Sequence, residues 1–317
     1  MGKRARPRPA PAAAARGRRK ILRKRAGSLH GRVIQPGTAK RYRAHVKEFF
    51  RWCARTGRTI PTSAVAFDTL LCAYAEELWE EGDSKSVLAN TLSGLTYFTI
   101  SLKGKLPGAW RLYTAWNKHE PGQRAPPLTV LMMQAIAGYF VHRGEKRAAA
   151  MICVAHHCIL RTGEMLAVRT TDVTFAARLC QIRLRDTKIG QRLGITEETN
   201  VVDPWLFKIF QKIIQFVYPG DTLVGMSPRA FRQMWASAVK AVGLPQAYKP
   251  YGLRRGGATA YFHHCGSFGK TANRGRWGTE RAMKQYVTTA LVELAEDQHL
   301  GDDNSTLTSW ASCLSAL

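Results

Sequence analysis

A mainly α-helical fold with a small antiparallel β-sheet, divided into two units, is what this chain's pattern predicts. Three observations lead there. Apolar residues recur mostly at spacings of three and four, the period of one helix face. One stretch instead alternates, with Cys180, Ile182 and Leu184 set against Gln181, Arg183 and Arg185, as a half-buried strand does. Proline and glycine between Glu120 and Pro127 break the helical pattern and mark a linker. The length, 317 residues, suits two cores, and 45% hydrophobic content argues for globular units over a disordered polycation.

The chain begins with a basic segment, residues 1–36, that contains no acid. Its composition buries too little apolar surface to offset ordering, so a disordered tail is expected. Within it, Arg16 to Arg25 reads either as a DNA-contacting arm or as a nuclear import signal.

A helical unit is expected over residues 37–122. Thr38 is the candidate N-cap of its first helix and Gly57 the residue just past its end. Tyr42, Val46, Phe49 and Cys53 form an apolar stripe there. Lys40, Arg43, Lys47, Arg51 and Arg55 form a second stripe at the same spacing. One face packs while the other follows a line of phosphates. A second helix from Ser63 to Glu81 turns Phe67, Leu70, Leu71, Tyr74 and Leu78 inward. A third starts near Ser84 with Leu88, Leu92 and Leu95, and a short piece surrounds Trp110 to Trp116.

The second unit is expected over residues 123–300, with a C-terminal tail at 301–317. Helices are expected from Thr129 to Val141 and from Lys146 to Leu160, the latter apolar nearly all round. After the strand, a turn falls between Asp186 and Gly190. Asp203-Pro204 and Ser227-Pro228 each pair an N-cap with proline at the first helical position. A further helix follows Tyr251, and the last carries Tyr286.

Charge narrows the partner. Lys and Arg number 48 against 22 Asp and Glu, a net charge of +26. That imbalance points to a polyanion, and double-stranded DNA fits the striped pattern. No apolar run reaches the length of a membrane span, and no apolar segment follows the basic N-terminus as in a secretory signal. An intracellular setting is expected, nuclear in a eukaryote and otherwise the cytoplasm or nucleoid. The seven cysteines are scattered without a CxxC pair, as reduced core thiols are. His156, His157 and Cys158 sit in an apolar helical run and read as core, not as metal ligands.

A tyrosine downstream of two arginine clusters suggests covalent attack on a phosphodiester. The clusters are LRTGEML around Arg161 and YGLRRGG around Arg254, and Tyr286 follows in GRWGTERAMKQYV. A phenol is a weak nucleophile unless cations gather at the phosphate it attacks. With Lys188 in RDTKIGQR and Trp277 nine residues before Tyr286, these fragments resemble the tyrosine recombinase (phage integrase) superfamily. The resemblance spans residues 38 to 295. It implies a helical core-binding domain followed by an integrase-type catalytic domain, forming a clamp around DNA.

It further implies that Arg161 and Arg254 hold the non-bridging phosphate oxygens, that Lys188 is the general acid and that Tyr286 is the nucleophile of a 3′-phosphotyrosine link. Glu164 orients Arg161. No metal or other cofactor is expected. Family members act as tetramers on paired sites, and Ala290 to Ala295 with the tail beyond is the candidate segment for docking on a neighbour. Mobile-element integration falls within the family's range. One position departs: Tyr251 stands where the family usually has histidine, and a phenol does not titrate near neutrality as imidazole does. The alternatives left open are a type IB topoisomerase-like enzyme and a recombinase-derived DNA-binding protein with impaired catalysis.

Spacing adds one geometric demand. On a continuous helix Trp277 and Tyr286 would lie about 13 Å apart on opposite faces. Reaching one phosphate together requires a bend, expected at Gly278 and Thr279, with Thr279 capping the final helix.

Overall fold

Residues 11–26, 28, 29, 31, 33–122, 124–185, 187, 190, 194–287, 292, 293, 297 and 304–317 are described by a computed structural model. The chain divides into two compact units, Met1–Gln123 and Arg124–Leu317. Each has its own hydrophobic core.

The first unit holds α1 (Pro11–Ala26), α2 (Pro36–Arg55), α3 (Ala64–Glu80), α4 (Lys85–Phe98) and α5 (Pro107–His119). The helix α1 lies where composition argued for a disordered tail. Alanine and arginine favour helix locally, while the described side chains, Arg16 to Ile21, Arg23 and Lys24, remain exposed. Helix α2 starts two residues before the expected Thr38 because Pro36, with its fixed φ and missing N–H, occupies the first turn. Ser63 and Ser84 cap α3 and α4 through their hydroxyls. Helix α5 has no side-chain cap of its own. The buried Asp68 of α3 supplies one, accepting from Gly108 N at 2.8 Å and Ala109 N at 3.0 Å. Phe49, Trp52, Leu71, Tyr74, Leu88 and Leu92 fill the core between these helices.

The second unit opens with α6 (Val130–His142), α7 (Lys146–His157) and α8 (Thr162–Ala167). A three-stranded antiparallel sheet follows in the order β1 (Val173–Phe175), β2 (Cys180–Leu184), β3 (Glu197–Val201). Ile182 pairs with Val173 on one side and with Thr199 on the other. Then come α9 (Pro204–Ile214), α10 (Pro228–Ala241), α11 (Gly252–Cys265), α12 (Phe268–Gly275), α13 (Glu280–Lys284) and α14 (Asn304–Ser312). Asp203 and Ser227 cap α9 and α10 as their sequence pattern implies. Trp235 of α10 is core, its indole donating to Tyr248 O at 2.9 Å. His156 and His157 are also structural. Burial takes His156 down to about 4, and burial with the nearby Arg274 charge takes His157 to about 4.

Three expectations are corrected in this unit. The segment expected as a tail from 301 onward includes α14, which packs on α6 of its own unit and buries Leu307 and Leu314. A Cβ at Gly138 would lie 1.7 Å from Trp310 O, so glycine is what allows the two helices to approach. The helix begun at Lys146 ends at His157, not Leu160, where Ile159 turns to φ 53°. Tyr286 sits in the turn just past α13, not within a helix. Of the segment Ala290 to Ala295, only Val292 and Glu293 are described, and the rest lies outside the described residues.

Helix α11 lies unusually close to its neighbours. A Cβ on Gly256 would meet Leu128 O at 1.8 Å, and one on Gly257 would meet His156 O at 2.0 Å. The paired glycines after Arg254 and Arg255 therefore set how deep those arginines sit. Gly256→Ala is expected to destabilise the second unit by about 1–3 kcal/mol through overpacking against rigid backbone. Urea unfolding would reveal it as a lowered midpoint with unchanged slope.

Candidate active site

The site is assembled where α7 ends, α8 begins and α11 to α13 converge. Arg161 precedes α8 as its N-cap residue, and its backbone N–H donates to Glu164 Oε2 at 2.9 Å. Its guanidinium also bonds Glu164 Oε1. Glu164, only 7% exposed, is shared: Arg276 Nη2 lies 2.7 Å from its Oε2. Burial alone would raise the Glu164 carboxyl. The Arg276 charge, the Arg161 N–H and the Arg161 guanidinium outweigh it, and the group ends below the usual carboxylate range.

Arg254 projects from the first turn of α11 and is fully buried. Its Nη1 donates to Ile159 O at 2.5 Å and its Nη2 to Gly275 O at 2.6 Å, while its Nε–H has no partner. Burial, and then the Arg161 and Arg276 charges, bring it down to about 10. Two aromatic rings lie over it, Trp277 at 4.3 Å and Tyr286 at 5.6 Å from the guanidinium carbon. The neighbouring Arg255 instead donates to Ala125 O at 2.7 Å. Spacing from Tyr251 favours Arg254 over Arg255, and Arg254 is the one that meets Tyr286.

Backbone geometry holds this cluster. Among the described residues Ile159 and Arg276 are the non-glycine positions with positive φ, 53° and 56°. Each costs on the order of 1–3 kcal/mol. The Ile159 turn aims its carbonyl at Arg254 and, at 3.5 Å, at Arg276. The Arg276 turn ends α12 and lets the Trp277 ring fold back over Gly275, where a Cβ would lie 1.8 Å from the ring. Gly278 and Thr279 then bend the chain, and Thr279 caps α13 by accepting from Ala282 N at 3.2 Å. Trp277 and Tyr286 thus come together, ring centroids 4.8 Å apart.

The position that departs from the family pattern touches the nucleophile candidate directly. Tyr251 Oη and Tyr286 Oη are 2.7 Å apart. The two phenols move in opposite directions. Burial and the Tyr286 contact push Tyr251 up to about 12. For Tyr286, burial raises the phenol, but the Tyr251 hydrogen bond, Arg254, the Trp277 N–H and Arg161 together leave it below its ordinary value. Trp277 Nε1 itself makes no hydrogen bond of good geometry, so its share is a through-space one. Of the two, Tyr286 is the phenol that ionises more readily.

No family model matches this chain. It is 26% identical over 247 residues to tyrosine recombinase XerC of Methylobacterium sp. (strain 4-46), covering 72% of this chain and 75% of that protein. The tyrosine recombinase XerC of Methylobacterium nodulans is likewise 26% identical, over 251 residues. Among solved structures, the fold matches the Tn1549 transposon integrase in complex with transposon right end DNA, with TM-score 0.58 at 15% identity, covering 90% of this chain and 98% of that one. It also matches a lambda integrase dimer bound to a COC' core site, with TM-score 0.55 at 14% identity, covering 88% and 77%. The chain is thus similar in sequence to tyrosine recombinases and shares the integrase-type fold.

The structure brings together Arg161, Glu164, Tyr251, Arg254, Trp277 and Tyr286. Lys188 lies outside the described residues. Arg276 had not been singled out; its signal is the positive φ beside Trp277, invisible in a chain crowded with cations. His264 does not substitute for the missing histidine, since it lines a separate cavity with Tyr261 and Arg274. Among the described residues no group of three or more His, Cys, Asp or Glu is arranged to hold a metal, and no helix is long and apolar enough to cross a membrane.

In the first unit, Lys40, Arg43, Lys47, Arg51 and Arg55 are all exposed on α2. Two of the five cations are paired with acids outside the stripe. Arg51 pairs with Glu48 at 3.1 Å and Arg55 with Glu77 at 3.7 Å. The i,i+3 geometry brings Glu48 under Arg51, so Lys40, Arg43 and Lys47 are the part without a carboxylate.

The shared carboxylate has a pH signature. A carboxyl lowered on folding stabilises the fold above its unfolded value, near 4.5, and that contribution is lost as pH falls through the folded value. Glu164→Gln is expected to cost about 3–5 kcal/mol near neutral pH, because it leaves two guanidiniums unbalanced. In urea titrations at several pH values, the gap from the natural chain should shrink below pH 4.5. A gap independent of pH would show that the carboxylate charge is not what matters.

Proposed function

We propose that this chain is a site-specific DNA recombinase or integrase that cleaves and rejoins duplex DNA through a 3′-phosphotyrosine intermediate. The observation that carries the reading is the Tyr286 phenol, lying over buried Arg254 and hydrogen-bonded to Tyr251 beside the Arg161–Glu164–Arg276 cluster. The similarity to tyrosine recombinases and the DNA complexes among the structural matches support the substrate class.

The chemistry follows from the residue types. The scissile phosphate binds with its non-bridging oxygens on the guanidiniums of Arg161 and Arg254. Tyr286 Oη gives up its proton to solvent and attacks phosphorus as the phenolate, its charge eased by Tyr251 and the surrounding guanidiniums. The phosphorus–O5′ bond breaks, and the leaving oxygen takes a proton, a role assigned to Lys188 on the RDTKIGQR pattern. The bond energy stays in the phosphotyrosine link, so the 5′-hydroxyl of a partner strand reverses the step. The phenol of Tyr251 takes the place of imidazole as a hydrogen-bond donor and not as a titrating base. Lys40, Arg43 and Lys47 track the phosphate backbone from the first unit, and assembly of several copies on paired sites supplies the partner strands.

A nicked suicide duplex tests this. The natural chain is expected to form a detergent-stable protein–DNA adduct, and Tyr286→Phe none, with DNA affinity retained. Arg161→Ala or Arg254→Ala should slow adduct formation by about 10²-fold or more, as loss of a preorganised transition-state donor does. An adduct persisting in Tyr286→Phe overturns the assignment.

Tyr251 separates full from impaired catalysis. Tyr251→Phe removes the donor at 2.7 Å, and adduct formation should fall by about tenfold, one charge-assisted hydrogen bond. Tyr251→His restores a donor and should keep activity. Equal rates in all three chains would show that the phenol is a bystander.

A further inference from the structure

The polarity of α3 is opposite to what helix electrostatics favour. A helix C-terminus carries partial negative charge and is stabilised by cations. Here the last turn of α3 has no basic residue, and Glu76, Glu77, Glu80, Glu81 and Asp83 crowd its end. In a chain of net charge +26, this local anionic field is conspicuous.

A cavity of about 540 Å³ opens at that end. Glu48, Trp52, Arg55, Tyr74, Glu77, Glu81 and Asp83 contribute to its wall. Glu48 and Glu77 are engaged by Arg51 and Arg55. Among the described residues Glu81 and Asp83 have no ion-pair partner, and both are exposed. A second observation points to a ligand. Trp52, only 2% exposed, presents an indole N–H with no acceptor. The negative field also reaches Tyr74, which burial first, and then Glu48 and Asp83, push up to about 12.

Cationic side chains would satisfy the carboxylates, and a peptide carbonyl would satisfy the indole. A bare metal ion fits poorly, since no metal-type grouping of side chains occurs among the described residues. The ligand chemistry is that of a basic peptide. We propose that this chain's own arm, Arg16 to Lys24 on α1, docks in the acidic cavity at the end of α3.

The arm has the complementary charge. Arg16, Arg18, Arg19, Lys20, Arg23 and Lys24 are exposed and carry no ion pair among the described residues. Its reach is sufficient. Trp52 lies sixteen residues into α2 beyond Pro36, about 24 Å along the helix. The nine residues from 27 to 35 span up to about 30 Å when extended. Tethering gives the arm an effective concentration of about millimolar, which favours the chain's own cavity over a neighbour's. The docked arm is held by exposed ion pairs, so salt or a polyanion releases it.

Zero-length carbodiimide cross-linking of the full chain, as an equal mixture of ¹⁴N- and ¹⁵N-labelled protein at low salt, tests this. Mass spectrometry should find amide links from Lys20 or Lys24 to Glu81 or Asp83 joining peptides of the same isotope. Absence of such links overturns the proposal, and mixed-isotope links overturn it in favour of a second copy as occupant. A second measurement does not depend on the cross-linked groups. The double variant Glu81→Gln, Asp83→Asn should raise the rate of trypsin cleavage after Lys20 and Lys24 about fivefold at low salt, as the open arm becomes more populated. Unchanged cleavage would mean that the arm does not dock there.

Discussion

Three guanidiniums around one carboxylate set the terms for the second unit. Arg161 and Arg276 divide the oxygens of Glu164, and Arg254 lies in the same enclosed space with only carbonyl oxygens as partners. The cluster holds an excess of buried positive charge. Its cost shows in Arg254, which burial and the other two arginines bring down to about 10. Desolvated like charges of this kind are destabilising unless an anion joins them. In the proposed function a phosphate diester supplies that anion.

The surrounding backbone is shaped to keep the cluster in place. Gly256 and Gly257 let α11 approach Leu128 and His156 until Arg254 is enclosed. Ile159 and Arg276 take positive φ, unfavourable for side chains of their size. Both strained turns deliver what the arginines need: a carbonyl in one case, and in the other the guanidinium together with the Trp277 ring that follows it. The tight turn after α12 also turns the chain so that Tyr286 returns over Arg254. The readier ionisation of the Tyr286 phenol is thus a property of the whole arrangement, with Tyr251 as its nearest contributor.

Much of this was legible from residue types alone. Ser63, Ser84, Thr129, Asp203, Ser227 and Thr279 are hydroxyl or carboxylate caps before apolar runs, and each starts a helix. The resemblance to the recombinase motifs tied Tyr251, Arg254, Trp277 and Tyr286 to one site, and the spacing of Trp277 and Tyr286 then demanded a bend at Gly278 and Thr279. The rest left weaker traces. Strand β3 reads Glu-Glu-Thr-Asn-Val, too polar to signal a strand, and β1 has three residues. Helix α14 carries few apolar residues and is fixed by packing on α6, a tertiary contact with no local signature. Arg276 is one cation among many, and only its backbone geometry distinguishes it. Glu48 lies outside the stripe in the sequence, and its pairing with Arg51 shows only in the folded helix.

The central claim is that the guanidinium cluster exists to hold one phosphorus at the Tyr286 oxygen. A crystal structure of the natural chain with cleaved duplex and orthovanadate, a stand-in for the trigonal-bipyramidal phosphorus, reads this directly. The account predicts vanadium bonded to Tyr286 Oη at an apical position, with equatorial oxygens hydrogen-bonded to Arg161 and Arg254. Vanadate bound away from Tyr286, or held at Tyr286 without either arginine, would contradict it.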